Sequence, residues 1–239
     1  MHCFFTTDIQ PNQAFVHGDD VKHIAKVLRL KPGDTVRLCD GNGQVCSARI
    51  ASVSNDEVAF DTDPWSPAAS EPETSVTLFQ CLPKAGKMET IIQKCVELGA
   101  AAFVPVRSER CVVVWKPPFD NKIERLQRVS EEAAKQSRRG RIPQVCMPQD
   151  LDKLCFDLFD AVLAAYENEH TVSLKAALKR VQTGGRIAIL IGPEGGFSDG
   201  EIEQLIRKGA VSVSLGPRIL RTETAGMAML AQILYEVES

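Results

Sequence analysis

The chain lacks the residue spacings that announce a metal centre. Its eight cysteines (Cys3, Cys39, Cys46, Cys81, Cys95, Cys111, Cys146, Cys155) include no C-x-x-C pair, and its four histidines (His2, His17, His23, His170) are scattered. A zinc site needs clustered Cys and His ligands, so no metal is expected. Several cysteines sit inside apolar runs, as in Phe79-Gln80-Cys81-Leu82. They read as small buried hydrophobes in a reducing compartment. No apolar run reaches the ~18 residues that span a bilayer. The start, Met1-His2-Cys3-Phe4-Phe5, has neither the basic region nor the long apolar stretch of a signal peptide. A soluble cytoplasmic protein is the expectation.

Two phosphate-binding patterns are also missing. Gly86-Lys87 resembles the end of a P-loop, but Met88 stands where Ser or Thr would hold magnesium, and the first glycine is absent. Gly41-Asn42-Gly43 lacks the third glycine of a dinucleotide fingerprint and reads as a hairpin turn. The net charge of −3 announces no polyanionic ligand, so any basic face must be local.

What is present is an ordinary globular composition, 44% hydrophobic and 25% charged over 239 residues. That is ample for one large domain or two smaller ones. The segment from Asp61 to Ser75 carries Pro64, Pro67 and Pro72 among small residues. It reads as a linker, which places a domain boundary near residue 72 and divides the chain into 1–72 and 73–239. Before it, Thr35 to Leu38, Val45 to Ile50 and Val53 to Phe60 are strand candidates around tight turns, with a helix from Gly18 to Leu30. Short strands joined this way suggest a small barrel.

After the seam, strands and helices alternate. Val76–Leu82, Ala102–Val106, Ala161–Tyr166, Arg186–Ile191 and Val211–Leu215 are apolar, buried-looking strands. The helices predicted between or after them run from Met88 to Val96, Asn121 to Ser137, Val172 to Val181, Asp199 to Lys208 and Thr222 to Tyr235. Near-continuous apolar strands alternating with helices predict an α/β domain with a mainly parallel sheet.

The chemistry concentrates at two strand ends. Ile187 to Ile191 runs into Gly192-Pro193-Glu194-Gly195-Gly196-Phe197, and Ser198 and Glu201 are spaced as a capping box for the following helix. Open α/β sheets bind ligands beyond the carboxyl ends of their strands, and three glycines let backbone approach a ligand closely. The next strand repeats the design, with Gly216-Pro217-Arg218-Ile219-Leu220-Arg221 leading to a helix at Thr222, a residue type suited to an N-cap.

These two segments, with Lys87-Met88-Glu89, Gln93-Lys94, Glu97-Leu98-Gly99, Ser108-Glu109-Arg110, Glu132-Ala133-Ala134 and Gln136-Ser137 upstream, resemble the bacterial small-subunit (16S) rRNA uridine N3-methyltransferase family. That family belongs to the SPOUT class. The resemblance covers nearly the whole chain in order. It implies a trefoil-knotted SPOUT methyltransferase domain, an N-terminal PUA-like β-barrel that binds RNA, and a homodimer. It also implies S-adenosylmethionine held among three loops. The residues matching its cofactor site are Ala165, Tyr166, Ile191, Gly192, Gly195, Gly196, Leu215, Gly216, Ile219, Leu220, Thr224 and Ala225. The implied partner is 16S rRNA, within the assembled small subunit.

Local charge fits an RNA substrate. Lys116, Lys122, Arg125, Arg128, Lys135, Arg138, Arg139 and Arg141 outnumber Asp120, Glu124, Glu131 and Glu132, and Lys22, Lys26, Arg29 and Lys31 surround His23. Such groups neutralise phosphates, although a solvated helix face explains Lys122 to Arg128 equally well. The expected RNA contacts are His23, Lys26, Arg29, Lys84, Lys87, Arg110, Arg138, Arg139 and Arg141. Where the family has Gln-Ser-Gly-Arg, this chain has Gln136-Ser137-Arg138-Arg139, so the family's arginine maps to Arg139. Its start is Met1-His2 where the family often has Met-Arg.

Uracil N3 is a weakly acidic imide nitrogen that must lose its proton to accept a methyl group. Arg221 is the candidate for stabilising the developing charge. Glu223 is a second catalytic candidate, as base or as the partner that orients Arg221. Three rival readings stay open: methylation at another RNA position, such as a ribose hydroxyl, a non-catalytic RNA-binding or ribosome-assembly factor, and a dinucleotide-dependent enzyme. The missing G-x-G-x-x-G argues against the last.

Overall fold

A computed structural model of the chain describes residues 1–84, 86–179 and 181–238. The chain forms two units, the first made of 1–71 with 134–142, the second of 72–133 with the chain from 143 onward. Residues 134–142, read from sequence as the end and exit of a helix in the second domain, thus belong with the first unit.

The first unit is a curled sheet of seven strands: β1 (Cys3–Phe5), β2 (Asp8–Gln10), β3 (Gln13–His17), β4 (Thr35–Cys39), β5 (Gln44–Val53), β6 (Glu57–Thr62) and β7 (Ser66–Pro67). Their order is β1-β4-β5-β6-β3-β2, with β7 beside β5. All pairs are antiparallel except β1 with β4. Alternate residues point inward, as a half-buried pleat requires. Val36 and Leu38, Ala48 and Ile50, and Val58 and Phe60 thereby form one core with Val21 and Ile24. The latter two come from α1 (Asp19–Lys22) and the π-helical turn His23–Val27 that continues it.

Three differences from the sequence reading have local causes. Strands β1 to β3 were not expected. Asn12, at φ 62, closes the two-residue turn between Gln10 and Gln13 that makes β2 and β3 a hairpin. The strand expected from Val53 starts only at Glu57, because Ser54 Oγ accepts from the N–H groups of Asp56 and Glu57 and holds a turn there. The proline-rich seam is partly ordered sheet. Asp61 and Thr62 end β6, and Ser66–Pro67 pair with β5 at an edge, where the missing proline N–H leaves no partner unmet.

The second unit holds β8 (Ser75–Cys81), α2 (Lys87–Glu97), β9 (Ala102–Arg107), α3 (Asp120–Gln136, whose last turn lies in the first unit), β10 (Gln144–Val145) and β11 (Gln149–Asp150). β12 (Ala161–Ala165), α4 (Leu174–Leu178), β13 (Arg186–Ile191), α5 (Asp199–Arg207), β14 (Val211–Val213) and α6 (Thr222–Glu238) follow. The sheet order is β10-β9-β8-β13-β12-β14, with β11 beside β9, and every pair is parallel. Both faces are covered, which explains the continuous apolar strands. One face packs Phe79, Val104, Ala188 and Leu190 with Phe197, Ile202 and Leu205. On the other side α6 lies against α2, α4, β8 and β13. The α4 helix is shorter than the predicted 172–181, and position 180 of that span lies outside the described residues.

Candidate functional site

The carboxyl ends of β12, β13 and β14 open into a cavity of about 690 Å³ in the second unit. Its walls are Ala165 to Glu167 with His170, Ile191 to Glu194 with Gly196, Ser214 to Thr222 with Ala225, and Lys87. The expected cofactor residues come together here, except Gly195 and Thr224, which do not line it. Gly195 instead turns its carbonyl to Arg110 Nη1, at 2.9 Å. Thr224 is exposed on the first turn of α6.

The first glycine loop is tied down on several sides. Thr222 Oγ1 donates to Gly192 O (2.6 Å) and accepts from Gln80 Nε2 (2.9 Å), both buried. The Thr222 hydroxyl is therefore not the helix cap that sequence suggested. Arg221 takes the N-cap position, its carbonyl accepting from Ala225 N. Arg110 reaches the carbonyls of Gly195 and Phe197. The capping box of Ser198 and Glu201 is formed, and Glu201 also accepts from Glu109 N at 2.7 Å. Gly196 has φ +65, and a Cβ there would lie 2.7 Å from the Glu167 carboxyl carbon. Only glycine leaves bare main chain and that carboxylate side by side on the wall.

The second wall, Leu215 to Arg221, has few such ties. Gly216 N donates to Ser214 Oγ at 3.3 Å. Arg218 and Arg221 are exposed, and Ile219 is 88% exposed.

Charge gathers between the walls. Lys87 Nζ lies 2.9 Å from Glu194 Oε1 and 3.1 Å from Glu223 Oε2. Its pKa is raised by Glu194 and then by Glu223. Burial pushes Glu194 up, but Lys87 and the Lys84 N–H outweigh it and hold the carboxyl below its ordinary value. Glu223 is held low by its own backbone N–H and, against a desolvation effect, by Lys87 and Arg221. A carboxyl so stabilised as the anion is a poor proton acceptor, and its ion-pair partner is Lys87, not Arg221. Tyr166 Oη donates to Asp199 Oδ1, which raises the phenol pKa. Ala165 to Glu167 with His170 form a third wall; Glu169, within that stretch, accepts from Thr171 N and Oγ1, Val172 N and Ser212 Oγ, ties the wall to β14, and has its pKa lowered to about 2.

The expected RNA contacts separate into kinds. His23, Lys26, Arg29, Arg138 and Arg141 are exposed, all in the first unit, where Lys135 Nζ also pairs with Asp20 Oδ2 at 2.9 Å. Arg139 is a correction. It is 4% exposed, and its Nη2 lies 2.7 Å from Glu71 Oε2, while Gly140 N and Arg141 N donate to the same carboxylate. A buried, paired guanidinium offers no charge to a phosphate. Its partner lies so far upstream in sequence that no local pattern reveals it. Lys84 is exposed. Arg110 and Lys87 are committed to the loop carbonyls and the two carboxylates.

Sequence reasoning included Glu194 only as the carboxylate of the glycine motif and Glu167 only as the end of a loop implied to hold the cofactor, and it did not name His170 or Ser214; all four are on the cavity wall. Glu194 lies inside the glycine motif, so its type and place were a usable signal. The others sit at strand ends and need the sheet order to be seen. Among the described residues no three His, Cys, Asp or Glu side chains are grouped to hold a metal ion, and no helix is long and apolar enough to cross a membrane.

Residues 70–234 match the RNA methyltransferase domain family, and residues 16–62 match the RNA methyltransferase PUA domain. The class defined by parallel sheet, glycine-walled cavity and curled N-terminal sheet is thus the two-domain RNA methyltransferases. The ribosomal RNA small subunit methyltransferase E of Bacillus subtilis is 35% identical over 230 residues, 93% of this chain and 90% of the relative. That of Synechocystis is 38% identical over 224 residues, 91% of this chain and 71% of the relative. The crystal structure of the Neisseria gonorrhoeae ribosomal RNA small subunit methyltransferase E bound to S-adenosyl methionine aligns with TM-score 0.84 at 28% identity, covering 98% of this chain and 97% of that one. The chain belongs to the ribosomal RNA small subunit methyltransferase E family.

Proposed function

We propose that this chain methylates N3 of a specific uridine in 16S rRNA, with S-adenosylmethionine as donor. The cavity of about 690 Å³ carries this reading. That volume suits a nucleoside-sized ligand. Ile191, Leu215 and Leu220 offer apolar surface, and the Gly196 main chain beside the Glu167 carboxylate offers a close polar wall. When bound, S-adenosylmethionine supplies a methyl group already activated by the sulfonium, so no metal or covalent nucleophile is required.

The chain's own residues must then orient the uracil and bear the charge left when N3 loses its proton. Arg221, exposed on the rim with Glu223 in the next turn, is placed to stabilise that charge on a neighbouring carbonyl oxygen. Glu223 acts as a fixed anion beside Arg221 and not as the base, because its lowered pKa makes it a weak proton acceptor. RNA grip falls to His23, Lys26, Arg29, Lys84, Arg138 and Arg141, and Arg139 keeps a structural role. In this reading residues 1–72, joined by 134–142, form the RNA-binding PUA-like domain, and the rest of 73–239 forms the knotted transferase domain. The protein acts as a cytoplasmic homodimer on the assembled small subunit.

Two measurements test this. Calorimetry is expected to show S-adenosylmethionine binding at one site per chain, and no binding would favour a non-catalytic RNA-binding factor. Nucleoside mass spectrometry of rRNA from a deletion strain is expected to lose N3-methyluridine. Loss of a 2′-O-methyl nucleoside in its place would overturn the choice of target atom.

A further inference from the structure

Lys87 sits where three elements meet. It is the first residue of α2, and its ammonium lies between Glu194 of the loop after β13 and Glu223 in the first turn of α6. Its side chain is only 28% exposed. A phosphate brought to this ammonium would meet two carboxylates, so the geometry does not suit a backbone contact to RNA. We propose that Lys87 is a positioning residue of the transfer site, strapping the start of α6, and with it Arg221, to the first glycine loop.

The inference rests on the methyltransferase reading for its consequences and on the ion triad for its geometry. Without Lys87, two carboxylates would face each other across the gap it fills. Like charges so placed separate, or one of them takes up a proton. The other groups that bear on the pair are the Lys84 N–H on Glu194 and Arg221 beside Glu223. Neither bridges both anions, and the Thr222 Oγ1 to Gly192 O bond, which joins the same two elements, leaves both carboxylates unneutralised, so the strap adds a second tie to that bond.

The test compares wild type, Lys87→Met and Lys87→Arg in the full chain. In Lys87→Met, kcat is expected to fall roughly 10- to 100-fold, as small misplacements of catalytic groups do. Its acid limb should move to higher pH, and Lys87→Arg should recover much of the loss. RNA affinity and its salt dependence should not change. A kcat and pH profile like wild type would overturn the proposal. So would a weaker RNA affinity with a salt slope reduced by about 1, the mark of a lost phosphate contact. A second readout needs no activity: carboxyl titration by carbon NMR in the cofactor-free protein. Glu194 and Glu223 should titrate below ordinary glutamate in wild type and rise in Lys87→Met. Unmoved titrations sink the strap itself, whereas a wild type that shows the strap but binds no S-adenosylmethionine sinks only the assigned activity.

Discussion

The loop from Gly192 to Phe197 and the segment from Leu215 to Arg221 both leave parallel strands and both wall the same cavity. They are held in opposite ways. The first is fastened by Thr222, Arg110 and the Lys87 triad, largely through its main chain, and Glu201 holds the Ser198 N–H that follows it. The second keeps its arginines and Ile219 exposed with few bonds of its own. A wall fastened from behind has its shape set before any ligand arrives, which suits a cofactor recognised by backbone approach. A wall with free side chains can adapt to a base delivered by a large RNA. The two are joined where α6 begins, since Thr222 at the end of the free segment donates to Gly192 O in the fastened one.

The contrast breaks most sharply at Arg221. Arg221→Ala is expected to cost roughly 10²- to 10³-fold in kcat, the usual scale for removing one charge-stabilising donor. Cofactor affinity by calorimetry should stay near wild type, because the fastened wall is untouched. An equal loss in both would mean that the two walls are not separable.

The fastened wall should instead lose stability. Glu201 is buried and accepts from Glu109 N and Ser198 N. Glu201→Ala orphans both donors and should cost about 2–4 kcal/mol in denaturant unfolding. Gly196→Ala forces an L-residue to φ +65 and pushes the Glu167 carboxylate aside. The strain should cost about 1–2 kcal/mol, with weaker cofactor binding as the more sensitive readout, since the displaced carboxylate lines the cavity.

Acid acts on the third wall. Glu169, with its pKa lowered from 4.5 to about 2, contributes stability that is fully present above the unfolded value. That contribution is lost as pH falls from about 4.5 towards about 2. Glu169→Gln should flatten this part of the stability-versus-pH curve, and an unchanged acid limb would remove Glu169 from the account. Smallest of all, Ile219→Ala should leave unfolding within about 0.5 kcal/mol of wild type, as exposed sites do. It should raise KM for the RNA if the free wall receives the base.

Much of this was legible because it is local. The alternation of apolar strands with helical periods told the parallel sheet, and Ser198 with Glu201 told a helix start. The glycine runs marked the strand ends where ligands bind. The short strands β1, β2, β3 and β7 were not legible, because their pairing and not their composition makes them strands. The same limit hid the partners of two charges. Arg139 and Lys87 have the residue type of phosphate contacts, and nothing near them in sequence shows Glu71, Glu194 or Glu223 closing on them.

By itself, then, the sequence determined the α/β alternation, the position of the glycine-walled site and, through its motifs, the family. Only the tertiary structure decided which charges are free. A guanidinium or ammonium is the same group on paper whether it faces water or a carboxylate brought from a distant strand. Folding settles that, because a buried charge must find its counter-charge while an exposed one remains available to a ligand. Arg139 and Lys87 found theirs, and Arg221 stays exposed on the cavity rim.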